Sequence, residues 1–145
     1  MHRTFFRYLP FALLAAGLAG CRTTDPADPM QGLIPSPVSP ISDVPIPAGF
    51  RMANDSQTYL APNQLRIAHH HYKGGDDFLS VARFYREQLP LKGWTLLSQQ
   101  QNGGIVILAF SKPTEDLTVT VSEGTLDTHV YVKLDPSNRN PAPPR

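Results

Sequence analysis

Proline divides this chain. Seven prolines fall between residues 22 and 47: Pro26, Pro29, Pro35, Pro37, Pro40, Pro45 and Pro47. Four more stand in the last ten residues, at Pro136, Pro141, Pro143 and Pro144. Proline fixes φ and has no backbone N–H, so neither segment suits a helix interior or a central strand. Residues 22–47 also contain no aromatic side chain, and such a stretch buries too little apolar surface to offset its ordering entropy. The reading is a semi-extended tether over 21–43, with an upper reach of about 80 Å at polyproline spacing, and a disordered proline-rich tail over 136–145. What remains, residues 44–135, has room for one small domain.

The segment before the tether reads as an export leader. Arg3 and Arg7 make a positive start, and Leu9 to Ala19 is apolar apart from Pro10 and Gly17. That run suits a leader core and is too short to span a bilayer, which takes roughly 20 residues. Leu18-Ala19-Gly20-Cys21 follows, with the only cysteine in the chain. These four residues resemble the lipobox of bacterial lipoproteins. The resemblance implies cleavage before Cys21 and attachment of a diacylglycerol to its thiol. The polar run Arg22-Thr23-Thr24-Asp25 argues against a buried core cysteine. A single acyl chain holds weakly, whereas two or three hold firmly. Arg22 stands where an Asp commonly signals inner-membrane retention, so the resemblance implies the outer membrane, facing the periplasm. With one cysteine there is no internal disulfide, and the domain relies on its core.

With residues 1–20 removed, eleven basic and twelve acidic residues remain, a formal net charge of −1. They are scattered along the sequence, which excludes the clustered positive charge that nucleic acid requires.

Inside residues 44–135 the periodicities predict β-β-α-β-β-β-β. Ser56–Ala61 and Gln64–Lys73 read as two strands joined across Pro62-Asn63. Asp76 and Asp77 suit a helix start. Phe78, Val81, Ala82, Tyr85 and Leu89 then form a helical stripe, stopped by Pro90, with Gly93 in the turn. Strands are predicted at Trp94–Gln100, Ile105–Lys112, Leu117–Ser122 and Val130–Leu134. Asn102-Gly103-Gly104 gives the first of their hairpins. Ile105–Lys112 is apolar at both parities, which reads as a central strand. The expected fold is α+β, a two-layer sandwich with one helix on an antiparallel sheet.

Three stretches, Val44-Pro45-Ile46-Pro47-Ala48-Gly49-Phe50, then Phe84 to Trp94 (FYREQLPLKGW), then Phe110-Ser111-Lys112, resemble a group of uncharacterised bacterial lipoproteins and exported proteins. These carry a tether followed by a small domain. Their motifs are apolar or turn-forming, and the resemblance implies a fold without implying catalytic residues.

The most conspicuous polar cluster is His69-His70-His71. Side chains alternate along a strand, so His69 and His71 share one face and His70 the other. With His129 nearby they would offer a metal site. The plainer reading is a strand of half-exposed histidines. Asp76 and Asp77 fit a helix cap better than an acid/base pair. Ser80 and Ser98 lack a nucleophile's context, and the paired glycines match no phosphate-binding fingerprint. The sequence thus points to a non-enzymatic, membrane-anchored envelope domain without cofactor. Its expected partners are an envelope protein or peptidoglycan, met through an exposed patch around Tyr72 or Tyr131. The alternative is a weak metal or small-ligand binder through the His69–His71 strand.

Overall fold

The computed structural model describes residues 32–60 and 65–138. The leader, Cys21, the first part of the tether, the Pro62-Asn63 turn and residues 139–145 lie outside the described residues. The elements run β1 (Arg51–Met52), β2 (Gln57–Leu60), β3 (Arg66–Gly74), α1 (Phe78–Leu91), β4 (Thr95–Asn102), β5 (Ile105–Ser111), β6 (Glu115–Glu123) and β7 (Thr128–Pro136). The architecture is the expected α+β one: a seven-stranded antiparallel sheet, not closed into a barrel, with one helix packed on it. The two-residue β1 is an addition to the predicted order.

Strand order is β1-β3-β7-β6-β5-β4, with β2 also paired to β3. The last four strands form the predicted meander. Asn102 pairs with Ile105, and Gly103 adopts φ +56° in the tight turn between them. Asp77 caps α1 by accepting a hydrogen bond from the Ser80 N–H at 2.9 Å. Pro90 does not stop the helix before it but sits in its last turn. The helix ends one residue later, at Leu91, in a closed C-cap: Gly93 N–H donates to Pro90 O at 3.0 Å and Trp94 N–H to Leu89 O at 3.2 Å. Gly93 supplies the φ of +83° that this reversal needs.

One face of the sheet is covered by α1. Val81, Ala82, Phe84, Tyr85 and Leu89 meet Val106, Leu108, Phe110, Leu117, Val119, Val121, Val130, Val132 and Leu134 in a single core. The period-2 alternation of β6 and β7 places their apolar residues here and their polar residues on the open face. Strand β5 is internal as expected, paired to β4 and β6, but one of its faces is largely open: Val106, Leu108 and Phe110 are buried, whereas Ile105 and Ile107 are exposed. Its apolar character therefore does not come from cover on both sides.

The described part of the proline-rich segment is also not a free tether. Residues 32–43 pack on the domain: Ile41 is buried with Val44 and Ile46, and Leu33 lies against the same cluster. Ser36 N–H donates to Ile46 O at 2.7 Å and Ala48 N–H to Ile34 O at 2.9 Å, around a bridge between Pro35 and Pro47. Prolines alternate with residues that keep their N–H, so the segment pairs with itself through the donors that remain. The folded unit begins before Val44. It also continues past Asp135, since Pro136 ends β7 and Ser137 N–H donates to Thr114 O at 2.8 Å.

Candidate functional site

The open face of the sheet carries the polar chemistry. In the β3–β7 register His69 lies opposite Lys133, His71 opposite Tyr131 and Lys73 opposite His129. All six therefore share one face, the one α1 does not cover. His70 points to the core side, as its parity predicts, together with Ala68 and Tyr72. The histidines are not a half-exposed row: His70 is 4% exposed and His71 8%. The expectation of an exposed patch at Tyr72 also fails, because Tyr72 is 3% exposed, whereas Tyr131 is 44% exposed on the open face.

On the core side, the His70 ring sits between two hydroxyls. Its Nε2 contacts Thr58 Oγ1 and its Nδ1 contacts Tyr72 Oη at 2.7 Å. Burial, and then the neighbouring His69, push the His70 pKa below its ordinary value, so the ring is neutral at neutral pH. Burial likewise raises the Tyr72 pKa. This is a satisfied core histidine.

On the open face the arrangement is different. His71 Nε2 and His129 Nδ1 lie 2.9 Å apart. The outer nitrogen of each ring faces a carboxylate: His71 Nδ1 is 3.1 Å from Asp55 Oδ1, and His129 Nε2 is 3.0 Å from Asp127 Oδ1. The result is a four-membered chain, Asp55–His71–His129–Asp127. Tyr131 stacks on His71 with centroids 4.2 Å apart and planes 16° apart, and the His129 ring meets the edge of His71, centroids 5.2 Å apart and planes 20° apart. A shallow cleft of about 230 Å³, lined by Asp55, His69, His71, Tyr131 and Lys133 among others, opens beside it.

Each contact in this chain takes one proton: a carboxylate only accepts, a neutral imidazole carries one N–H, and the tautomers of His71 and His129 decide which ring donates across the 2.9 Å between them.

His69 does not join this group. It lies one row along the face, 3.7 Å from Asp135, which also holds Lys133 at 3.1 Å. Among the described residues no set of three or more His, Cys, Asp or Glu side chains is placed to hold a metal ion. The spacing-based trio His69, His71 and His129 is thus split: the fold joins the last two and leaves the first aside. Asp55 and Asp127 were not singled out in the sequence. Asp127 stands two residues before His129, a spacing that could have drawn notice, whereas Asp55 comes from a loop between β1 and β2 and has no such signal.

The other sequence candidates take structural roles. Asp77 is the cap of α1, and the Asp76 carbonyl accepts from Thr128 Oγ1 at 2.6 Å. Ser80 Oγ donates to Asp77 Oδ2 at 3.1 Å. Ser98 lies on β4, all eight residues of which are exposed.

The model of one family, described as START domain-like, matches residues 56–138, which span β2 to β7 with α1 between them. Comparison with curated proteins and with solved structures gives no match. The match takes in more than half of the chain, including every strand of the sheet except β1 and the whole helix, and on that basis the chain belongs to the START domain-like family.

Proposed function

We propose that this protein is a lipid-anchored envelope domain that binds another polypeptide without catalysing a reaction. The anchor rests on Leu18 to Cys21 and the apolar leader before it. The resemblance of the Val44–Phe50, Phe84–Trp94 and Phe110–Lys112 stretches to exported bacterial lipoproteins supports the same placement, on the periplasmic side of an outer membrane. Among the described residues no helix is long and apolar enough to cross a membrane.

The observation that carries the binding reading is β4. It closes one edge of the sheet and, among the described residues, pairs only with β5. Its sequence, Thr95-Leu96-Leu97-Ser98-Gln99-Gln100-Gln101-Asn102, has no charge and no proline, and every residue is exposed. Edge strands are ordinarily blunted by charge, proline or cover. An uncharged, eight-residue open edge instead offers backbone N–H and C=O groups to an added strand. The exposed Ile105 and Ile107 beside it add apolar area.

Two measurements test this reading. Mass spectrometry of the protein from its native membrane is expected to find Cys21 acylated and residues 1–20 gone, and a bare thiol would end the anchor proposal. A photo-crosslinking side chain placed at Gln99 in the anchored protein is expected to join one discrete envelope polypeptide. Leu97→Pro should abolish that adduct, and the same probe at Tyr59 should not form it. Equal labelling from both edges would end the strand-addition proposal.

A further inference from the structure

We propose that the proline-rich strap over residues 32–43, together with the end of α1, docks on the lipid surface that holds the anchor. This deepens the reading of Cys21 as a lipidated residue, and it rests on that reading.

Covalent length sets the distance. From Cys21 to Gly32, the first described residue, the chain takes eleven residue steps. Each step spans at most about 3.6 Å, so Gly32 stays within roughly 40 Å of the acylated sulfur. Residues 32–43 add nothing to that reach, because they pack on the domain. Along the chain, the strap is therefore the part of the folded unit nearest the bilayer.

What the strap turns outward is apolar. Among the described residues, three of the four most exposed large apolar side chains are Ile34 (71%), Val38 (74%) and Leu91 (75%). They lie on one side of the molecule. A Cβ on Gly32 would be 3.8 Å from Glu87 Oε2, and Pro35, Pro37 and Val38 line a shallow cleft with Gln88 and Lys92. The strap thus runs beside the last turns of α1, and Leu91 ends that helix. Apolar residues exposed singly need no explanation, but a cluster rimmed by polar groups marks a contact surface.

The strap is also set in advance. Ala48 N–H donates to Ile34 O at 2.9 Å and Ser36 N–H to Ile46 O at 2.7 Å, while Pro35, Pro37 and Pro40 restrict the chain between them. Insertion of Ile34 and Val38 then costs little further ordering entropy. The charges suit a lipid surface. Arg83, Arg86 and Lys92 are exposed along α1 and its cap, against one acid, Glu87. Apolar side chains beside Lys and Arg are the composition of interfacial membrane contacts, because anionic headgroups draw the cations.

The opposite end of α1 provides the control. Thr128 Oγ1 donates to Asp76 O at 2.6 Å beside the helix start, so the β6–β7 turn that carries Leu126, the most exposed of the four, lies away from the strap.

The test uses the full chain with one added cysteine, V38C, L91C or L126C, isolated from membranes and labelled with a nitroxide. The protein is placed in vesicles of phosphatidylethanolamine and phosphatidylglycerol. Electron paramagnetic resonance then reads the access of oxygen and of a water-soluble nickel chelate to each label, and mass spectrometry of the same sample reads the state of Cys21. The expected result is high oxygen and low nickel access at 38 and 91, the reverse at 126, and an acylated Cys21. Water-like access at 38 and 91 with Cys21 acylated overturns the docking and leaves the anchor standing. Low access of both reagents at 38 and 91 indicates contact with protein and also overturns the docking. A bare Cys21 overturns the anchor, and the docking with it.

Discussion

Asp43 sits in the guanidinium fork of Arg66, with Nη1–Oδ1 at 2.6 Å and Nη2–Oδ2 at 3.1 Å. Arg66 turns its other edge to Glu115, at 2.8 Å from Nε and 2.5 Å from Nη2. The Lys112 ammonium donates to the same Asp43 carboxylate and lies 4.5 Å above the Trp94 ring. Trp94 Nε1–H donates to the Asp43 carbonyl at 3.0 Å. One residue of the supposed tether thus ties together β3, the end of β5, the start of β6 and the exit from α1. Asp43→Ala removes the acceptor from two partly buried cations. The expected cost is about 2–3 kcal/mol in chemical denaturation, as for lost hydrogen bonds to charged groups.

Acid should weaken the fold in two windows. His70 has a lowered pKa in the folded state, caused first by burial. Its neutral form is favoured on folding, so its contribution is complete above the ordinary histidine value near 6.5 and is lost as pH falls below it. Asp43 is held at about 2: burial alone would raise it, but the hydrogen bonds and charges of Arg66 and Lys112 outweigh that. Its contribution is complete above the ordinary carboxylate range near 4 and is lost as pH falls towards 2. Melting temperature against pH should show both declines, and Asp43→Asn should remove the lower one.

Gly74 and Gly75 are adjacent but not equivalent. A Cβ on Gly74 would lie 2.4 Å from ring carbons of Phe50, whereas one on Gly75 would meet nothing within 4 Å. Gly74→Ala should therefore displace Phe50 from the core edge and cost about 1–3 kcal/mol. Gly75→Ala should stay within about 0.5 kcal/mol. Equal effects in parallel urea titrations would show that the Phe50 ring gives way freely.

Tyr85 is fully buried, and its hydroxyl has no hydrogen-bond partner among the described residues. Burial, and then Tyr72, push its pKa well up. Tyr85→Phe keeps the ring and removes the unpaired polar atom, and should raise stability by about 1 kcal/mol. Tyr72→Phe should act in the opposite direction by a similar amount, because it strips His70 Nδ1 of its partner. Thermal melts of the two variants should shift with opposite sign.

Trp94 closes the helix cap, covers the core and anchors Asp43 at once. Trp94→Ala should cost about 3–5 kcal/mol, as large aromatic truncations do. A loss below about 1 kcal/mol would mean that the indole is not a core anchor.

Local chemistry wrote much of this fold into the sequence. The stripe Phe78, Val81, Ala82, Tyr85, Leu89 made α1 legible, and alternation made β6 and β7 legible, because period and face are linked by backbone geometry alone. Gly103 and Gly93 were legible because few residues tolerate positive φ. The same parity rule separates His70 from His69 and His71, since it needs only their positions along one strand. It does not reveal that His71 is buried, because burial depends on Tyr131 and His129 arriving from a strand about sixty residues away.

What the sequence determined by itself was the list of elements, their faces and their turns, all set by interactions within a few residues. What only the tertiary structure decided was which edges meet. β3 docks on β7, bringing His71 to His129, and Asp43 folds back onto Arg66 and Lys112. Those pairings close long loops, and they hold because the core under α1 and the charges at its edge are satisfied together. No local periodicity records such a sum over distant contacts.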